Sequence, residues 1–420
     1  MLNSFWKQKR APGEDNKMKR KGKKTIVVLG SLDTKEEELN YLKQRIAEKG
    51  HEAIMVDVSL LNDSSAKSDI GPKHIAKREG IRVEQLSLLS QEEACTIMSR
   101  GAANVASELH RSGKLDGIIS LGGSMGTSLA CAVMRSLPLG VPKLIISTTV
   151  GDIRHYVGTK DILFLPAITD FFGLNPVTKR LLDNAAGAMA GMVEVDTGSF
   201  PSEKPLIGMS VRGDKNICAN KIKSQLEING FEVICFHAVG QGLVLEEMVR
   251  EDQIAGVLDL EPAEVSEHLF GGMFDAGPTR LEAAGEKGIP QLIAPGGIEF
   301  ICFPGKRAIP HRFRKNRRRE HNPNVIGVFL NEKDIILVAE VIAEKLNLAK
   351  GPTAVIIPKK SFGGRGWTID TELIPVFTST LKRELRSEIN VVEVDAHIND
   401  SSFADSAVDL FLKLMDKSKA

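Results

Sequence analysis

The residues best suited to chemistry are Gly122-Gly123-Ser124-Met125-Gly126-Thr127, which follow the apolar run Gly117 to Leu121 and open an apolar segment, Ser128 to Met134. Glycine lets a chain turn sharply and lets backbone N–H groups approach an anion with no Cβ in the way. A helix starting behind them would add partial positive charge, and Ser124 and Thr127 would add hydroxyl donors. The run is not a Walker loop, since no Lys follows its last glycine. It lacks the well-placed acidic residue of a full dinucleotide fingerprint. Anion binding and a merely tight turn both fit it.

Other strand ends of the first half would share that crevice, because ligands on a parallel sheet gather at strand carboxyl ends near the topological switch. They are Gly30 to Lys35, the Asp57 region and Ser147-Thr148-Thr149. Lys35 would offset phosphate charge, and Asp33 or Asp57 would hold a ribose hydroxyl or a magnesium ion. Equally, Asp33 would cap a helix and Lys35 would stand in solvent. His155, in a polar glycine-flanked loop, is a candidate general acid–base group, as are His311 and His321. The last two bound a stretch holding Arg312, Arg314, Lys315, Arg317, Arg318 and Arg319. Guanidinium groups there, Arg318 among them, would clamp a carboxylate or phosphate of a second substrate. A solvated charged loop is the other reading. No histidine pair has i, i+4 spacing, so no dedicated transition-metal site is expected. No catalytic triad or nucleophile elbow is legible.

The elements that must position these groups read as strand–helix–strand units of a parallel sheet. Thr25 to Leu29 is a strand, Ser31 to Thr34 a capping turn, and Leu39, Leu42 and Ile46 recur at helical spacing before Gly50 and a strand from Ala53 to Val58. Glu36, Glu37 and Glu38 suit the first turn of that helix. The same order returns 180 positions later, from Leu206-Ile207-Gly208-Met209 through Ile222, Leu226 and Gly230 to Glu232-Val233-Ile234. The expected fold is therefore α/β, with two doubly wound, Rossmann-like parallel-sheet subdomains related by apparent internal duplication. The boundaries are a disordered basic tail over 1–24, a nucleotide-binding domain over 25–193, a linker over 194–204 and a second domain over 205–420. A small-residue helix, Leu181 to Met192, carries Asn184, and Gly187 and Gly191 there read as packing or ligand glycines.

Composition supports a soluble cytoplasmic protein. The 420 residues are 42% hydrophobic and 26% charged. No apolar run reaches the roughly 18 to 20 residues of a membrane span, and no secretory signal opens the chain. Five widely spaced cysteines argue against a disulfide framework or thiolate zinc site. The net charge of +1 hides nine Lys or Arg against Glu14 and Asp15 in residues 1–24, which leaves the remainder mildly acidic and argues against nucleic acid. The tail reads as a solvated extension, with RNA or anionic lipid as the other option.

Leu121 to Thr127, Tyr156 to Asp161, Asn184 to Met192, Asp275 to Ala283 and His321 to Asn324 together resemble the ATP-binding domain family of the tomato mosaic virus resistance protein and its uncharacterised bacterial and fungal relatives. The resemblance implies two Rossmann-like subdomains, a homodimer, and ATP with Mg2+ in the first. Carried over, the ligand-facing residues are Asp33, Thr34, Lys35, Gly122, Gly123, Ser124, Gly126, Thr127, Thr148 and Asn184. Met125 departs from it, standing where the family usually has a third glycine. The Ser147 to Arg154 loop is a residue shorter than expected. A barrel domain follows in the plant protein, which by analogy suggests a separately encoded barrel-domain partner. Two functions stay open. One is a metabolic enzyme holding ATP in the first domain and a small anionic molecule at the interdomain cleft; the other is a nucleotide-dependent regulatory or partner-binding module without turnover.

Overall fold

A computed structural model describes residues 22–60, 67–149, 151–195, 204–364 and 371–418, and its contacts divide the chain into two compact units, Met1–Gly198 and Ser199–Ala420. Most of the expected tail and linker, and Val150 in the shortened loop, lie outside the described residues. At the end of that expected tail, Lys24 Nζ pairs with Asp116 at 3.3 Å.

The first unit runs β1 (Thr25–Gly30), α1 (Leu32–Glu48), β2 (Glu52–Asp57), α2 (Pro72–Arg78), α3 (Gln91–Arg111), β3 (Gly117–Gly122), α4 (Ser124–Arg135), β4 (Lys143–Ser147), α5 (Arg154–Val157), β5 (Ile162–Pro166) and α6 (Pro176–Glu194). Its five strands are all parallel, in the order β2-β1-β3-β4-β5. Alternate residues of each strand must face opposite sides, and both sides here are covered. Val27 and Leu29 pack with Met98, Val105 and Leu129 of α3 and α4, whereas Ile26 and Val28 pack with Leu39, Leu42 and Met189 of α1 and α6. That double burial explains strands written as continuous apolar runs. The chain leaves β1 in two directions, towards β2 on one side and β3 on the other, so the switch point lies outside the carboxyl ends of β1 and β3.

The second unit repeats this order with one strand added. It comprises β6 (Leu206–Val211), α7 (Asn216–Ile228), β7 (Glu232–His237), α8 (Gly242–Arg250), β8 (Gly256–Asp259), α9 (Ala263–Phe270), α10 (Ala283–Lys287), β9 (Gln291–Ile293), β10 (Phe300–Phe303), β11 (Arg318–Asn322), β12 (Val325–Phe329), α11 (Glu332–Asn347), β13 (Thr353–Pro358), α12 (Leu373–Glu384), β14 (Asn390–Val394) and α13 (Ser401–Lys417). The parallel sheet has the order β14-β13-β9-β8-β6-β7, and β10-β12-β11 form a separate antiparallel sheet inserted after β9. One face packs on α7 and α13 through Ile207, Met209, Ile222 and Phe411; other clusters bury Val355 and Ile357 against α11 and α12. The two units are thus both Rossmann-like α/β folds.

Three local expectations are corrected. Of the turn expected over Ser31 to Thr34, Ser31 is the extended N-cap and Leu32 to Thr34 are already helical, while α1 bends at Lys35 (φ −135°, ψ 29°), so Glu36 to Glu38 lie past the bend. The helix after the glycine run begins at Ser124 rather than Ser128, which makes Gly123 its N-cap and places Gly126 and Thr127 in its first turn. Close packing does not explain Gly187 and Gly191: a Cβ at Gly187 would meet only the Lys49 side chain, and one at Gly191 nothing within 4 Å.

Close approach is real at Gly122, where an added Cβ would stand 2.9 Å from the Gly126 Cα. Backbone cannot yield as a flexible side chain can. Gly122→Ala should therefore cost about 1–3 kcal/mol, the usual penalty of overpacking, in denaturant unfolding. Gly123→Ala, whose Cβ would find only the Thr148 hydroxyl at 3.7 Å, should unfold with a midpoint close to that of the unsubstituted chain.

Candidate functional site

The first four N–H groups of any helix lack intrahelical acceptors. Two helices begin at the first unit's switch point, and they meet this need differently. In α1 the Leu32 amide donates to Asp57 Oδ1 at 3.1 Å and the Asp33 amide to Ser59 Oγ at 3.0 Å. Asp57 also accepts from the Ser59 amide and hydroxyl and is fully buried. One oxygen of its carboxylate, Oδ1, is therefore engaged in capping α1 and in the Ser59 turn. In α4 the N-cap is a glycine with no side chain to offer. Among the described residues the Thr127 amide donates to the Gly123 carbonyl, and the amides of Ser124, Met125 and Gly126 have no acceptor.

Two of these three residues, Met125 and Gly126, line a cavity of about 120 Å³ together with Gly30, Ser31, Thr34, Lys35, Gly122 and Gly123, among others. Lys35 supplies its cation; Nζ donates to the Phe171 carbonyl at 2.5 Å and sits 5.2 Å from the Phe172 ring centre. A second compartment of about 310 Å³ shares Ser31, Thr34, Leu60 and Met125 with the first. It adds Asp33, Gln91, Ser87, and the apolar Leu86, Leu89 and Ala94. Met125 therefore stands in the wall common to both.

The sequence-predicted residues divide accordingly. Gly122, Gly123, Gly126, Thr34 and Lys35 line the first cavity and Asp33 the second. Thr148 lies beside Gly123, and Ser124 is exposed at the start of α4. Thr127 turns inward: it is fully buried and its hydroxyl shares a 2.7 Å hydrogen bond with Ser147 Oγ, tying α4 to β4. Asn184 is exposed on α6 and lines neither compartment. His155 stacks on Tyr156 with ring centres 4.0 Å apart, also away from both. Ser59, Leu60, Leu86 and Gln91 were not anticipated, since each sits between strand ends where no motif marks it.

The second unit fills the equivalent positions with charge. Here buried carboxylates are the acceptors for helix amides. Glu264 Oε1 accepts from the Gly240 and Gly242 amides at the start of α8, and Glu246 accepts from Leu281, Glu282 and Ala283 at the start of α10. Arg280, 1% exposed, neutralises both and also pairs with Asp259 Oδ2 at 2.6 Å. These neighbouring carboxylates hold its guanidinium well above the usual arginine range against the opposing effect of burial. Lys215, fully buried, pairs with Asp214 at 3.0 Å and Glu261 at 3.1 Å. A phosphate has no place among these acids.

The basic stretch from His311 to His321 is not a loop throughout. His311 starts a short 3-10 turn, and Arg318 to Asn322 is the edge strand β11. Arg312 pairs with Asp334 at 2.5 Å and Arg317 lies 3.8 Å from the Phe329 ring centre, so part of this charge serves packing. His311 and Arg318 are exposed and line no cavity with His321. His321 alone of that group borders a pocket of about 430 Å³, together with Arg212, Asp214 and His237. Those three were missed, although the switch-point rule applied to the second half would have pointed to Arg212-Gly213-Asp214 after β6. Among the described residues no group of three or more His, Cys, Asp or Glu could hold a metal ion, and no helix is long and apolar enough to cross a membrane.

Glu299 carries a testable consequence. It is 1% exposed, both carboxyl oxygens lack hydrogen-bond partners among the described residues, and burial pushes it up to about 8 despite nearby Lys215. A carboxyl whose folded pKa is raised binds its proton more tightly when folded, so it favours folding fully below its unfolded pKa of roughly 4.3 and progressively less as pH rises towards 8. Denaturation midpoints of Glu299→Gln should accordingly fall less than those of the unsubstituted chain between pH 5 and about 8.

The comparisons with known proteins bear on the whole chain. Residues 24–198 match the N-terminal domain, and residues 204–415 the C-terminal domain, of the uncharacterised protein family UPF0261. A UPF0261 protein of Clostridium tetani is 36% identical over 405 residues, covering 94% of this chain and 100% of the relative. The ToMV resistance protein Tm-1 of Solanum lycopersicum is 32% identical over 423 residues, and this chain spans only 56% of its length. A UPF0261 protein of Brucella suis is 32% identical, with 92% and 94% of the two chains covered. On these matches, which extend over both units, the chain belongs to the uncharacterised protein family UPF0261.

Proposed function

We propose that the first unit binds a phosphorylated nucleotide, with ATP and magnesium as the reference ligand. The observation that carries this reading is the set of acceptor-less amides of Ser124, Met125 and Gly126 at a switch point whose other helix is already satisfied by Asp57. A phosphate there would receive backbone N–H donors and the positive end of the α4 dipole. Lys35 would leave the Phe171 carbonyl for the stronger, charge-assisted partner. The neighbouring compartment offers apolar walls from Leu60, Leu86 and Leu89, with Gln91 and Ser87 as polar contacts. That mixture suits a heteroaromatic base, and its volume reaches the lower end of the roughly 300–1,000 Å³ of small-molecule sites.

Magnesium fits this arrangement through the ligand. Among the described residues Asp33 is the carboxylate that lines these compartments, and magnesium commonly takes one or two carboxylates, substrate phosphates and several waters. Asp33 would hold the ion or one of its waters, while the phosphates supply the remaining charge.

Holding the nucleotide is favoured over turning it over. Among the described residues no histidine lines either compartment, and Asp33 and Lys35 are the ionisable side chains that do. The first unit thus reads best as a nucleotide-dependent binding module, whose expected homodimer and barrel-bearing partner would be the surfaces it acts upon.

Gly123→Leu tests the reading directly. Its backbone is extended (φ −78°, ψ −164°) and a Cβ there meets nothing closer than 3.7 Å, so the variant should fold while its side chain obstructs the anion pocket. Calorimetry should show ATP–magnesium binding weakened at least about tenfold, equal to roughly 1.4 kcal/mol, with thermal unfolding little changed. Equal affinity in a folded Gly123→Leu protein would refute the assignment.

A further inference from the structure

We propose that the second unit binds a small carboxylic acid with an apolar body in the pocket of about 430 Å³ at its own switch point, with Arg212 receiving the carboxylate. All the residues involved belong to Ser199–Ala420, so the assignment is independent of the nucleotide reading.

The location follows from topology. In the sheet order β7-β6-β8 the chain diverges at β6, which puts the crevice outside the carboxyl ends of β6 and β8. In a bare doubly wound sheet that crevice is open. Here the antiparallel insert covers it: Phe300 and Cys302 of β10, His321 and Asn322 of β11 and Val325 of β12 form one side, facing Arg212, Gly213 and Asp214 after β6 and His237 at the end of β7. The volume lies within the range of small-molecule sites, and a mostly apolar wall with a few fixed polar groups is their usual composition.

Arg212 determines the ligand class. It is 8% exposed, and its Nε donates to the Ala238 carbonyl at 2.8 Å. The guanidinium is held 5.1 Å from the Phe300 ring centre and 5.8 Å from that of Phe274. Glu261 and Glu267 approach only to 3.5 and 3.6 Å, and Nη2, which is shut off from the surface, has no hydrogen-bond partner among the described residues, so a ligand meets the rest of the guanidinium where Arg212 lines the pocket. An unspent buried donor is costly, and a carboxylate is the group that a planar guanidinium fork matches best. Asp214, the acid that lines the pocket itself, is paired with Lys215 at 3.0 Å and accepts from the Gly364 amide at 2.9 Å. Glu261 is shared with Lys215, and burial pushes Glu267 up to about 7, so it is only partly ionised at neutral pH. Phe274, Phe300, Val239 and Val325 then receive an apolar body, and His237 and His321 border the same space. Covalent attachment is disfavoured, because burial holds the Cys302 thiol far above the usual thiol range.

The full chain would be titrated calorimetrically with benzoate, with benzamide as its neutral counterpart, and with inorganic phosphate as a control for the first unit. Saturable benzoate binding, with benzamide at least tenfold weaker, is expected. Arg212→Met should abolish it, but that change strands Glu261 and Glu267 and burdens the fold. Val325→Trp fills the pocket from the half-buried start of β12 without touching a charge and should also remove benzoate binding. Absence of saturable benzoate binding, equal affinity for benzamide, or benzoate binding that survives Val325→Trp would each overturn the proposal. Loss of phosphate binding alone would count against the first unit's assignment and leave this one standing.

Discussion

Helix amino termini need acceptors for their first N–H groups, and the carboxyl edge of a parallel sheet collects those termini in one place. Everything distinctive about this protein follows from how each terminus is answered. Asp57 answers α1, Glu264 answers α8 and Glu246 answers α10, each with a buried carboxylate. At α4 a glycine occupies the capping position, and Met125 and Gly126 of the first turn line a cavity. The same physical demand thus gives a structural strut in three places and a candidate anion site in the fourth.

Burying carboxylates has a second consequence. A buried carboxylate needs donors, a cation or its proton, since an isolated buried charge is far too costly. In the second unit Arg280 spans Asp259, Glu246 and Glu264, and Lys215 spans Asp214 and Glu261. The glycines around this network are required by it: a Cβ at Gly242 would fall 1.9 Å from Glu264 Oε2 and 2.2 Å from Arg280 Nε. The two units therefore use the same kind of framework differently. The first leaves amides bare and holds a lysine at the cavity wall. The second consumes its charges internally and relies on an inserted antiparallel sheet to shape a pocket.

Much of this was legible from sequence. The strands are apolar runs because both faces of each sheet are covered, as the split of Ile26 and Val28 from Val27 and Leu29 illustrates. The duplicated order of elements was readable because Gly50 and Gly230, both at positive φ, punctuate matching helix ends. The glycine run was legible too, although its helix starts four residues earlier than the apolar periodicity indicates. Periodicity marks where a helix buries side chains, and Ser124, Met125 and Gly126 bury few. Asp33, Asp57 and Lys35 were all visible as candidates, yet only the folded chain separates Asp57, consumed by backbone amides, from Lys35, held at the cavity wall.

Sequence alone determined the α/β class, the paired architecture and the glycine turn, because these rest on local patterns of apolar spacing and backbone freedom. Tertiary structure alone decided which polar groups are available. Asp57 and Ser59 are joined to α1 across 25 or more positions, and Arg280 meets Glu246 across 34. The pocket around Arg212 needs strands more than 100 positions downstream. Whether a donor is spent or free depends on partners that neighbouring letters do not specify, and that availability is what separates a structural residue from one that can bind.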